Sequence, residues 1–573
     1  MFKGFRRLGL AFLDESGAQL EFSAGADSSD ERNRTENERD EAPEFDHSDE
    51  SESDVASQEP GWTAQDGGDY WPYPSKTMLV LDILDNMPHL RLSDDHMKTV
   101  LWMLEELNVP DTPSFYALRE TQKKLAEEMD IQPREHISAL GQKFHAVAPE
   151  DLLALDWANP HVRNSMCLYP EVTSSISESW QAGKWRDEVP LDELSPMWAD
   201  WESSPERHFY VNEVACTKAG KYILPKRWIV VNKKEYAECN PVYFSERRGR
   251  YRVRTSEIIR VPVDHLQLTF PEIEALGRGG FQNFSPNPVR TIAKGRPVFS
   301  LRVMPWADDV SGNRSKQYNP HINIYMKNLN IPSEKLKQQF FVRFCSTSPN
   351  TSSNEQFRAF LENCSHEKYI PAYDCLLKRE ILFRIFPHHL PADNPQQAES
   401  ASGIGGNGNL NCIRDKSGGT KEQKESNDVY HALFAPGKIR RMVPETVQII
   451  KQQIYLACEG IACKVSDLQT ETGIKDRTAQ YWIDRALERS SELMRQRLHE
   501  PETKDPRLGG KLKPDERKQI KQMIHSEVSA EVRRWVIEQP PERFNEIPQE
   551  SCKSYVLPDS RTLTKTHWNR PSQ

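Results

Sequence analysis

The sequence predicts a mixed α/β, multidomain protein: a disordered acidic N-terminus, a helical N-terminal unit, a small β-rich region, and a further α/β region that runs into a long helical stretch. Three observations predict this. Glu15 to about Asp69 is rich in Asp, Glu, Ser and Asn and poor in apolar residues. Such a segment cannot bury enough surface to offset the entropy of ordering it. From Lys76 apolar residues recur at helical spacing, and from about Arg207 the period shortens towards two. The divisions that follow are 1–69, disordered and acidic; 70–190, helical; 191–275, β-rich; 276–440, an α/β core; 441–545, helical; and 546–573, a tail.

At 573 residues, 37% hydrophobic and 28% charged, the chain can fill several cores. The net charge of -10 does not itself indicate a nucleic-acid binder, and much of the acid lies near the N-terminus. No apolar run reaches the roughly 18 residues a membrane helix needs. Leu8–Leu13 is shorter than the apolar core of a signal peptide, so an intracellular protein is expected. The ten cysteines form no Cys-x-x-Cys pair, which points to reduced thiols instead of a disulfide framework or zinc ribbon.

In the helical unit, the first helix covers Lys76 to Asn86. The second starts at the N-cap Ser93 and carries Met97, Val100, Leu101 and Leu104 on one face. The third starts at Ser114. Short strands are expected at His208–Val214, Trp228–Val231 and Val242–Phe244. Next comes Arg250-Tyr251-Arg252-Val253-Arg254. On a strand, Arg250, Arg252 and Arg254 share one face, which suits either a phosphate backbone or plain solvent.

Further strands are expected at Val298–Val303, running into Trp306–Asp309, at His321–Met326 and at Phe340–Phe344. A helix is expected at Ser353–Cys364, and Leu382–Phe386 reads as a strand or a helix end. From about Pro444 to Gln539 the pattern is helical. Within it, Leu468, Gly473, Ile474, Thr478, Trp482, Ile483 and Leu487 fit helix-turn-helix spacing, with Arg477 on the second helix. The alternative is a helix pair packed on the core. Lys511, Lys513, Arg517 and Lys518 lie nearby as phosphate contacts.

The candidate chemistry rests on carboxylates. Asp308 and Asp309 end an apolar strand, and Asp393 follows another apolar segment 84 residues after Asp309 (393 − 309). Acids at neighbouring strand ends can share divalent cations that activate a nucleophile in phosphodiester chemistry. Asp before a turn also serves simply as a cap.

The chain resembles the Plavaka group of transposase-related proteins of mushroom-forming fungi, which is similar to the CACTA transposases. The resemblance is carried by Tyr73-Pro74-Ser75-Lys76-Thr77, Asp156-Trp157-Ala158-Asn159-Pro160 and Phe209-Tyr210-Val211-Asn212-Glu213. It continues through Asp309 to Asn319, Leu390 to Glu399, and Leu468 to Gly473. It implies an RNase H-like core at 276–440 with a helical insertion at 441–545, and metal-dependent DNA cleavage and strand transfer. Asp309 and Asp393 are then metal ligands for Mg2+ or Mn2+, with Asp308 a possible substitute for Asp309. Partners would be DNA, as transposon ends, and other transposase chains, in the nucleus and with no membrane.

Two departures lead to the expectation of a truncated, inactive relative, or of a non-catalytic protein that binds DNA or a transposase. The family's Cys/His cluster after the second acid is reduced to Cys412, with Ala401, Gly403 and Asp415 around it, so a structural zinc is expected to be lost. A third acid is expected on a later helix, and residues 546–573 do not match the family.

Overall fold

The computed structural model describes residues 70–538, apart from 88–91, 130, 139, 310–320, 436–438, 501–502 and 511. The acidic segment, Lys511, the stretch after Asp309 and the final tail therefore lie outside the described residues. The chain divides into two compact units, Met1–Asp130 and Ile131–Gln573. Among the described residues no helix is long and apolar enough to cross a membrane.

The first unit is the three-helix packing expected: α1 (Lys76–Asp85), α2 (Asp94–Glu106) and α3 (Phe115–Met129). Ser75 and Ser93 cap the first two helices by accepting from the backbone N–H of Met78 and His96. Met78, Leu81, Met97, Leu101, Leu118 and Leu125 form the core. Tyr73 donates to buried Asp82 at 2.6 Å, which accounts for a carboxylate inside a helix.

The second unit starts with strands where only helix was expected. The stretch 131–190 holds β1 (Arg134–Ile137) and β2 (Lys143–Ala146), followed by α4 (Pro149–Ala158) and β3 (Glu171–Val172). The β-rich region comprises β4 (Met197–Asp200), β5 (Ser204–Tyr210), β6 (Ala215–Thr217), β7 (Tyr222–Val231), β8 (Lys234–Ser245), β9 (Arg250–Val253), β10 (Ile259–Pro262) and β11 (Leu266–Leu268). Its sheet runs β10-β8-β7-β6-β11, with β9 on β8 and β3 parallel to β7. β4 and β5 pair as a separate hairpin.

Then come β12 (Val298–Asp309), β13 (Ile322–Asn328), β14 (Arg343–Ser348), α5 (Ser353–Leu361), β15 (Ile370–Asp374) and β16 (Arg379–Pro387). Phe340 and Phe341, expected in a strand, lie in a 3-10 turn, and the strand begins at Arg343. The Phe341 ring enters the core while Phe340 packs at its edge, a local arrangement that alternation cannot distinguish from a strand. Leu382–Phe386 is strand.

These strands build a sheet of order β1-β2-β14-β13-β12-β16-β15. β12 and β16 are parallel, and every other pair is antiparallel. One face carries Phe299, Leu301, Val303, Ile324 and Phe383, covered by Trp157 of α4 and by Phe357 and Phe360 of α5. A buried ion pair fixes α4 to this sheet: Arg343 Nη2 donates to Asp156 Oδ1 at 2.6 Å, and Asn328 donates to Oδ2 at 3.1 Å.

The chain ends in helices α6 (Asn394–Ser400), α7 (Val443–Cys458), α8 (Ala462–Thr472), α9 (Arg477–Leu498) and α10 (Pro514–Glu538). The last four share a core around Ile450, Ile454, Ile483, Ile524 and Val528. Gly473, at φ +70, closes α8 in the left-handed conformation that favours glycine.

Candidate functional site

β12 runs past the end of its pairing with β16. Their register matches Val298 with Leu382 and Val303 with Pro387, and the strand then continues alongside β13 alone to Asp309. Alternation separates the two acids at its end. Asp309 lies on the face of Phe299, Leu301, Val303 and Ala307, whereas Asp308 shares the other face with Met304 and Trp306.

Asp393 caps α6, its Oδ1 accepting from the Gln396 N–H at 2.9 Å. Gln396 Nε2 in turn donates to Ser353 Oγ at 2.7 Å, so α6 is laced to the start of α5 beside the sheet. The cap explains why an Asp stands before α6 and leaves its second oxygen for other uses.

Asp308, Asp309 and Asp393 are exposed and line one cleft of about 2120 Å3. Glu355, Glu399 and Asp484 also line it, with Lys327, Lys475 and Arg477 as cations. Sequence reasoning did not pick out Glu355. Its only signal is a capping box, since one carboxylate oxygen accepts from Ser352 N and Oγ at 2.8 and 2.7 Å. Its other oxygen is buried without a hydrogen bond, as is the Thr351 hydroxyl.

Carboxylates lining an open cleft are donors of the kind magnesium takes one or two at a time, with water and phosphate completing the shell. They do not fit a closed protein cage, because among the described residues no group of three or more His, Cys, Asp or Glu side chains could hold an ion.

The loop after α6 carries Cys412. Arg441 holds it: Nη2 donates to Leu410 O at 2.5 Å, Nε to Cys412 O at 2.8 Å, and Nη1 to Thr472 O at 2.9 Å. Burial lowers the Arg441 pKa, with Cys412, Glu445 and Asp415 opposing it. Asp415 is turned to its own loop, accepting from Ser417 N at 2.9 Å.

The helix-turn-helix candidate is α8 and α9. Its turn is packed against the same loop: Ile404 N donates to Gly473 O at 3.0 Å, and Ser402 Oγ to Asp476 Oδ2 at 2.6 Å. Arg477 pairs with Glu399 at 2.9 Å and lines the cleft. The first turns of α9 therefore form a wall of the cleft.

In the β-rich region, Arg250 and Arg252 lie on one face of β9, and Arg254 falls just beyond it. Tyr251 packs inward, stacked on Phe281 with centroids 4.2 Å apart. Arg250 donates to Asn283 at 2.8 Å, and Arg254 pairs with Glu257 at 3.1 Å and lies over the Tyr243 ring. Arg252 is exposed, with no side-chain partner among the described residues. The strip thus keeps one uncommitted cation, and its two neighbours have protein partners at the surface.

Residues 197–299 match the model of a domain of unknown function (DUF8591). The match spans β4 to β11 and ends on the second residue of β12. No curated protein matches the chain at a significant level.

Proposed function

We propose that this chain is a transposase-related DNA-binding protein on an RNase H-like scaffold, with strand-cleavage chemistry that is impaired. The observation that carries the reading is that Asp309, at the end of β12, and Asp393, on the segment after the parallel neighbour β16, line one cleft. The strand connection supports the scaffold. An antiparallel meander, β12-β13-β14, is followed by a helix, by the edge strand β15 and then by β16, which lies parallel to the first strand. β15 departs from a wholly parallel second half, because it pairs antiparallel at the edge.

Asp309 and Asp393 would hold Mg2+ or Mn2+, and a divalent ion there supplies charge for the developing phosphorane and a more acidic water. The Asp393 cap and the Gln396–Ser353 bond fix where one carboxylate stands. Lys475 and Arg477, the latter paired with Glu399, also line the cleft and offer charge to a phosphate. The weakness of the donor set favours the non-catalytic reading, in which the protein binds DNA or a transposase chain without cutting.

The test is a nicking assay on supercoiled DNA with Mg2+ or Mn2+, run beside a DNA-retardation assay. DNA retardation with no nicking supports impaired chemistry. Nicking that Asp309→Ala abolishes shows an active enzyme instead. Absence of both overturns the reading.

A further inference from the structure

The second face of the large sheet is covered over only half its length. Beneath Ser300 and Arg302 it is closed, since Ser195 Oγ accepts from Ser300 N and Glu193 pairs with Arg302 at 2.9 Å. Beyond Met304 it opens. There Trp306 on β12, Tyr325 on β13 and Phe344 on β14 stand side by side in register. Trp306 and Tyr325 are stacked at 5.5 Å and 25°, and Tyr325 meets Phe344 edge-on at 5.8 Å. Phe344 is 44% exposed, and the other two rings are half-buried. Lys327 sits 5.7 Å from the Trp306 centroid.

We propose that Trp306, Tyr325 and Phe344, with Lys327, form a stacking platform for an unpaired nucleotide strand. Three features choose this occupant. The surface carries three adjacent aromatic rings, which suit the π-faces of bases. Lys327 adds a cation beside the rings, at the right place for a backbone phosphate. The strip is also continuous with the cleft, because Met304, Trp306 and Lys327 line the same space as Asp308, Asp309 and Asp393. Bases inside a duplex are already stacked on each other, so a platform of this kind acts on bases that have left the helix. Asp308 lies one step beyond Trp306 on the same face and repels phosphate, which sets the end of the strip.

This inference rests on the DNA-binding reading above, and its test is arranged so that the two can fail separately. The full chain is titrated into fluorescein-labelled oligothymidylate and into a duplex of matching length, in EDTA, with anisotropy as readout. Trp306→Ala and Phe344→Ala should each weaken single-strand binding by roughly tenfold, the effect expected of one lost base stack. Trp306→Phe should restore most of it, and duplex binding should stay within about twofold. Phe344→Ser, at an exposed position, is the variant that keeps the fold. The proposal is overturned if these variants bind oligothymidylate like the parent, if they lose duplex and single strand equally, or if the parent binds no oligothymidylate. Lys337→Ala, at an exposed position outside the cleft, should leave oligothymidylate binding unchanged. The titration is run in EDTA, so a failure of nicking bears on the cleavage reading alone.

Discussion

Asp309 and Asp393 share one sequence offset with the register of the parallel strands β12 and β16. The β12–β16 register pairs Val303 with Pro387, and each acid lies six residues beyond its member of that pair (309 − 303 and 393 − 387). The 84-residue separation seen in the sequence thus equals the offset of the strand register. Asp309 ends β12, which runs on past its pairing with β16, and Asp393 caps a helix after β16 has stopped.

Because Asp308 and Asp309 face opposite ways, they should not be interchangeable. Asp309→Asn should weaken Mn2+ binding at the cleft by about tenfold or more, and Asp308→Asn by much less. Isothermal titration with Mn2+ measures both. Equal losses would mean that the ion sits at the strand tip and not on the Asp393 side.

The Asp156–Arg343 pair is buried at 1% and 5% side-chain exposure. Removing one partner leaves the other charge in the core, which costs roughly 3–5 kcal/mol. Asp156→Ala should therefore lower the urea midpoint sharply, whereas exposed Lys337→Ala, paired only with Glu334 on its own turn, should change it little.

Acid should destabilise the second unit through its histidines. Burial, His389, Arg302 and Lys184 push His388 down to about 2, and burial with Lys184 pushes His389 to about 4. Both folded values lie below the ordinary histidine value. The unfolded chain therefore binds more protons once pH falls below about 6.5, and stability is lost from there downward. Each fully buried histidine contributes a slope of up to about 1.4 kcal/mol per pH unit. His388→Phe, which keeps a ring against Trp185, should flatten the fall in melting temperature between pH 6.5 and 5.

For the basic strip, Arg252→Ala should reduce the salt dependence of duplex binding by about one counterion. Arg250→Ala and Arg254→Ala should reduce it less, because each guanidinium already has a protein partner. A retardation series in salt distinguishes them.

Much of the secondary structure was legible, for reasons visible residue by residue. Ser75 and Ser93 announce their helices by capping, and the apolar run Val298–Val303 announces a central strand. The edge hairpin β1–β2 was not legible, because its partner β14 lies some 200 residues away and short exposed strands carry no periodic core. Arg302 and Arg384 look misplaced in a core sheet until Glu193, Ser300 and the Leu194 carbonyl are brought beside them by folding. In the cleft, Asp309 and Asp393 were visible from their neighbours in sequence. Glu355 and Trp306 were not, since one looked like a cap and the other like any strand aromatic.

The Arg441 guanidinium makes the order of the loop after α6 a property of the chain alone. A loop clasped by one guanidinium concentrates its tolerance to change in two places. One is that arginine, and the other is Gly473, where any side chain would collide with the Leu410 carbonyl. The rim of the cleft thereby hangs on a single side chain and on one close backbone approach.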